Sequence, residues 1–165
     1  MAGATIPALG PRNRMRCQYR QLEPLWRDLT AFAPEVKFGT RSPYRTDITD
    51  RIRQRLTEIN DVLIGPLQPY LDPAVHAAAL ASAEQKAGHG AAPDTAATAQ
   101  AVTIATALIS TEPVNPNRPV VFTTPGTQDY RDEAAWYASV AAAYSHLTTT
   151  AKTEEPRRHA VDPAR

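Results

Sequence analysis

The sequence predicts an all-α protein: a compact bundle of about five helices, with a Pro-rich loop before the last helix and disordered termini. Three observations carry this reading. Apolar residues recur at three- and four-residue spacing over long stretches, the period of one helix face. The alternation expected of half-buried strands is nearly absent, and its one candidate, "PVVFTT" at 119–124, has no evident partner strand. Much of the apolar content is alanine, which favours helix and buries little area per residue, so the helices should pack closely.

Residues 1–15 carry glycines and prolines without periodicity and read as a disordered leader. In "CQYRQLEPLWRDLTAFAP" the residues Leu22, Leu25 or Trp26, Leu29 and Phe32 mark a first helix that Pro34 stops. Pro24 inside that pattern must either start the main helix or kink it, because it lacks an N–H and clashes with the preceding turn. "PEVKFGTRSPY" is irregular. Thr46 or Asp47 then caps a second helix whose stripe is Ile48, Ile52, Leu56, Ile59 and Leu63, ended by Gly65-Pro66. Asp72 is a natural N-cap, with Pro73 at the first position of a third helix that closes at Gly88.

Asp94 caps a fourth helix with the seam Ala97, Ala101, Ile104 and Leu108. The stretch 111–128, with Pro113, Pro116, Pro119 and Pro125, cannot continue a helix and is expected to wrap the surface, tucking Val121 or Phe122 into a groove. A fifth helix follows, anchored by Trp136, Val140, Tyr144 and Leu147. The organisation is thus a leader (1–15), one helical domain (16–150) and a polar tail (151–165) expected to be disordered.

Composition narrows the function. The 165 residues suit one domain with a buried core, and charges balance to a formal +1, which argues against a dedicated nucleic-acid binder. The balance conceals an asymmetry: residues 1–60 hold eleven Lys/Arg against six Asp/Glu. A single cysteine, Cys17, cannot make an internal disulfide, and no apolar run approaches the ~20 residues of a membrane span, so a cytoplasmic location is expected.

No motif commits the chain to a reaction. His76, His89, His146 and His159 lack the spacing of a helical zinc site, and there is neither a phosphate-cradling glycine loop nor a nucleophile elbow. Neither a metal nor a cofactor is expected. The candidate constellation is Arg55, Glu58 and Asp61 on the second helix. At ~100° per residue Arg51, Arg55 and Glu58 share a flank and Asp61 points away, so Arg55 and Glu58 can pair at i,i+3. Trp26, Tyr70 and Trp136 are the aromatic candidates for a ligand cavity, against the commoner role of such residues in a core. Arg12, Arg14, Arg16 and Arg20 could meet phosphates or a membrane surface, against the commoner case of a solvated basic leader.

Three pieces, "YRQLEPLWRDL" (19–29), "RLTEINDVLIGPLQPYLDPAV" (55–75) and "DEAAWYASVAAAY" (132–144), in this order resemble the soluble C-terminal helical domain of transporter-like integral membrane proteins of actinobacteria. The resemblance spans roughly residues 16–147. Trp26, Arg55, Glu58, Asp61, Tyr70, Asp72 and Trp136 match its pattern, while Val62 stands where its members tend to have glycine. It implies a cytoplasmic helical module without an assigned activity, here read as free-standing, with the basic run 12–20 at the place where a membrane helix would hand over to cytoplasm.

The expected function is therefore a non-enzymatic interaction or regulatory module that binds a partner protein or the face of a membrane protein. The alternative is a small all-helical enzyme or ligand-binding protein, in which Arg55 holds an anionic small molecule and Glu58 acts as base. A nucleic-acid-binding or phage-type structural role ranks last, because the arginines of the second helix alternate with acids.

Overall fold

The computed structural model describes residues 10–37, 47–87, 94–114, 119–122 and 129–158. Among them every regular element is a helix: α1 Pro11–Gln21, α2 Glu23–Phe32, α3 Ile48–Ile64, α4 Pro73–Ala87, α5 Thr95–Ile109 and α6 Tyr130–Arg158. Short 3-10 turns occupy Pro34–Val36 and Gln68–Tyr70.

Among the described residues six helices stand where about five were expected, and Pro24 is the reason. It falls in the first turn of α2, where its missing N–H is tolerated, and it divides the expected first helix. Leu22 at the junction keeps helical angles (φ −68°, ψ −20°), so α1 and α2 form one kinked rod rather than two separate arms. Two boundaries also move outward. α1 begins at Pro11, inside the expected leader, and α6 continues to Arg158, inside the expected tail.

The starts of the helices follow local chemistry. Asp72 Oδ1 accepts from Ala74 N at 2.7 Å, and Asp94 Oδ1 accepts from Ala96 N and Ala97 N at 3.1 and 3.3 Å. Asp129 Oδ1 does the same for Arg131 N at 3.0 Å. Each fills an amide left without an intrahelical partner. Asp47 is a correction: it holds the N-cap position of α3, but its carboxylate makes no capping bond. Thr46 lies outside the described residues. At the other end of α3, Gly65 is required by closeness, since a Cβ there would sit 2.8 Å from the Asp61 carbonyl oxygen.

The core joins Leu22, Leu25 and Leu29 of the kinked rod to Ile52, Leu56, Ile59 and Leu63 of α3. Ala97, Ala101 and Ile104 of α5 and Val140, Ala141 and Tyr144 of α6 close the other side. Burial of each such leucine stabilises the fold by about 1.5–3 kcal/mol. The α3 stripe is buried as expected except at Ile48, which is half-exposed, and Val62 joins it. α4 has no buried residue and lies on α5 as an outer layer. Beside it Phe122, not Val121, tucks in: Phe122 packs edge-on against His76 at 5.4 Å, whereas Val121 is 81% exposed.

Residue pairings fix the helix directions. Glu23 meets Arg55 and Trp26 meets Glu58, so α2 runs in the same sense as α3. Arg53 lies 4.4 Å over the Tyr130 ring and Asn60 bonds Tyr137, so α6 runs parallel to α3 as well. Parallel neighbours need long returns, which is the role of the connections after α2 and after α5.

Candidate functional site

α3 carries Arg55 and Glu58 on the flank that faces α1 and α2. Both are buried, at 6% and 1% exposure, although charged residues are rarely buried unless partnered. Arg55 reaches across the helix interface rather than along its own helix. Its Nη2 forms an ion pair with the Glu23 carboxylate in the first turn of α2, and its Nη1 donates to the Tyr19 carbonyl at 2.5 Å. That carbonyl belongs to the last turn of α1, where acceptors lack intrahelical donors and the helix dipole is negative. The guanidinium also lies 3.6 Å over the Tyr19 ring and 4.6 Å from the Trp26 ring centre, within cation–π range.

Glu58, one turn further on, accepts from Trp26 Nε1 at 2.5 Å and from Gln54 Nε2 at 2.9 Å. Trp26 is thus held at its ring by Arg55 and at its nitrogen by Glu58, and Lys37 Nζ stands 4.7 Å from the same ring. The expected i,i+3 pairing of Arg55 with Glu58 gives way to two interhelical ties. Spacing along one helix cannot reveal a partner on another, and the kink at Pro24 is what presents Glu23 and the Tyr19 carbonyl to Arg55. The Arg55 Nε is buried without a hydrogen-bond partner, so the tie is strong but not fully satisfied.

The structure brings Trp26, Arg55 and Glu58 together and leaves the other candidates elsewhere. Tyr70, in the turn after α3, packs edge-on against Phe32 at 5.6 Å. Trp136 donates to Gln100 on α5 at 3.1 Å. Asp61 is half-buried, and its carbonyl receives the Gly65 N–H that ends α3.

Further polar ties bind α6 to the bundle. Asn60 donates to Glu133 at 2.6 Å and accepts from the Tyr137 hydroxyl at 2.5 Å, which fixes its amide orientation. The Tyr144 hydroxyl donates to Asp28 of α2 at 2.9 Å. Burial pushes the Tyr137 phenol well above its ordinary value, helped by the Glu133 charge and opposed by the nearby Gln100 amide. Burial likewise raises Tyr144, helped by its bond to Asp28 and opposed by Arg27. Gln100 is 1% exposed and its Nε2 has no partner in hydrogen-bond geometry. Glu23, Asn60, Gln100 and Glu133 were not among the sequence candidates. For Gln100 a signal existed: it lies between Ala97, Ala101 and Ile104, a polar group set in an apolar seam.

A concavity lies away from the clamp. A half-open depression of about 240 Å³ is lined by Arg12 and Arg16 of α1 and by Asp47, Ile48 and Arg51 at the start of α3. Arg14 and Arg20 are exposed on α1 outside that lining. Among the described residues no group of three or more His, Cys, Asp or Glu is placed to hold a metal ion, and no helix is long and apolar enough to cross a membrane.

The chemistry at Arg55 and Glu58 is that of a buried clamp: a cation held by a carboxylate, a carbonyl and two rings, beside a carboxylate held by an indole. Neither a curated protein nor a solved structure matches the chain. A family model does match, over residues 12–146, which takes in α1 to α5 and most of α6, with the whole clamp and the basic depression. The chain belongs to DUF6545, a family of unknown function.

Proposed function

We propose that the protein is a non-enzymatic, cytoplasmic interaction module that docks on a partner protein or on the face of a membrane protein. The observation that carries this reading is the distribution of exposed apolar side chains. Ile64, Val114 and Val121 are 73%, 49% and 81% exposed, and backbone contacts bring their segments to the turn that follows α3, while Ile109, 81% exposed, ends α5. Ile64 immediately precedes that turn. Val114 N donates to the Pro69 carbonyl at 3.0 Å, and Gln68, with its amide turned to satisfy both neighbours, accepts from Val120 N at 2.9 Å. Singly exposed apolar residues are ordinary, whereas several brought to one end are what a docking surface requires.

The resemblance to a domain carried by transporter-like membrane proteins of actinobacteria supports a membrane-protein partner. The alternative of a ligand site around Arg55 and Glu58 draws less support, because those charges are already engaged across α1, α2 and α3.

Proximity labelling of the full chain in its native host tests the proposal against an Ile64→Asp/Val121→Asp variant of unchanged melting temperature. A neighbour recovered with the wild type and lost with the variant is the expected result. Retention of the same neighbours overturns the docking surface. A measured turnover abolished by Arg55→Lys in a protein of unchanged stability would replace the module with an enzyme.

A further inference from the structure

At the opposite end of α3, about 20 Å from Ile64 at 1.5 Å per residue, lies the basic depression formed by Arg12, Arg16 and Arg51. We propose that this depression is a binding site for a phosphomonoester dianion, either free in solution or borne by a lipid headgroup. The inference is independent of the docking surface and concerns other residues.

Three features support it. None of the three guanidiniums has an ion pair or hydrogen bond among the described residues, unlike Arg27 and Arg55. Three like charges beside a single carboxylate, that of Asp47, disfavour the empty arrangement, and a dianion removes that repulsion. Two helices supply the arginines, so guanidinium forks from α1 and from α3 can reach one phosphate, and such forks grip it bidentately.

The ends of those helices add to the field. α1 and α3 both start at this depression. At α1 Pro11 has no N–H and Asn13 N already bonds the Gly10 carbonyl at 2.8 Å, whereas Asp47 places no side-chain cap on the first-turn amides of α3. The uncapped amides of α3 and the positive ends of two helix dipoles therefore add to the field of the arginine charges. Asp47 lines the same wall with a negative charge. Among the described lining it leaves a net of two positive charges, which matches a dianion better than a monoanionic diester. The volume, about 240 Å³, is below the ~300–1,000 Å³ of drug-sized ligand sites. A phosphate and the first atoms of its ester fit that scale, and a whole nucleotide does not.

The test measures melting temperature and calorimetric binding of the full chain with phenyl phosphate at constant ionic strength, and flotation with phosphatidylcholine vesicles containing phosphatidic acid. Arg51→Gln and Arg12→Gln/Arg16→Gln are compared with Arg14→Gln, which removes a charge from α1 outside the lining. Circular dichroism checks that each variant folds. The expected result is saturable binding that weakens about tenfold or more in the lining variants and is unchanged in Arg14→Gln. Phenyl phosphate binding without flotation assigns a soluble ligand. Flotation abolished by the lining substitutions assigns a lipid headgroup. Absence of both overturns the site, as does equal loss in Arg14→Gln, which would reveal only diffuse surface charge. Preferential binding to duplex DNA that phenyl phosphate does not compete away would also overturn it.

Discussion

Trp26 and Glu58 meet across the α2–α3 interface through a 2.5 Å hydrogen bond from the indole Nε1 to carboxylate Oε2. A ring that also faces Arg55 and Lys37 is thereby locked in orientation. Removing the indole donor deprives a buried carboxylate of one of its bonds, which costs about 1–3 kcal/mol. Trp26→Phe is expected to lower stability by about 2 kcal/mol, and Glu58→Gln, which keeps an acceptor for the indole, by less. Urea unfolding followed by circular dichroism ranks the two, and the reverse order would discard the bond as the main tie.

Arg55 should be the most sensitive position of the clamp. Arg55→Ala leaves the Tyr19 carbonyl without its donor and removes the packing between two rings, while Glu23, 45% exposed, stays solvated, so the expected cost is about 2–3 kcal/mol. Arg55→Lys restores the charge but not the planar fork that serves a carboxylate, a carbonyl and two rings at once. Its melting temperature should therefore fall well short of the wild type. Full rescue by lysine would show that only charge matters there.

Gly65 is demanded by the closeness of the Asp61 carbonyl. Gly65→Ala places a Cβ 2.8 Å from that oxygen, so the end of α3 must shift. The expected loss exceeds about 1 kcal/mol, the reverse of the gain that Gly→Ala brings at a compatible site. A neutral or raised midpoint in chemical denaturation would contradict the steric argument.

Acid should weaken the protein through His76. Its imidazole bonds Thr103 Oγ1 at 3.1 Å and packs on Phe122, and burial lowers its pKa below the ordinary 6.5, opposed by the Ala99 backbone. A lowered folded-state value means that the unfolded chain takes up the proton first. This contribution to stability is therefore complete above pH 6.5 and declines as pH falls below it. Melting temperatures taken from about pH 7.5 down to about pH 5 should fall more steeply for the wild type than for His76→Gln. Equal slopes would assign the acid sensitivity to other groups.

The fold class was legible because long apolar stripes survive translation into three dimensions: Ile52, Leu56, Ile59 and Leu63 are buried as their spacing implies. The sixth helix was hidden in two ways. The pattern runs unbroken through Pro24, so one helix and a kinked pair look alike in sequence. Of residues 12–15 Met15 packs against the core, too little to register as a period. At the clamp, Trp26, Arg55 and Glu58 were recognisable as candidates, but their connectivity was not. Glu23 becomes the partner of Arg55 only after the chain has returned 32 residues later, and no local rule spans that distance. Arg12 and Arg16 read as a solvated leader for the same reason: the structure sets them beside Arg51, far along the chain.

The ties of Arg55, Glu58, Asn60 and Tyr144 join α1, α2, α3 and α6, whereas the extensive contacts of α4 among the described elements are with α5. It contributes no buried side chain, and His76 sits in its first turns. Such a helix can exchange its amide protons by detaching alone, while α3 and α6 wait for global unfolding. The molecule therefore has two levels of cooperativity, a clamped inner unit and an outer helix that acid releases first. Native-state hydrogen exchange should resolve them as two plateaus of protection, with α4 on the lower one.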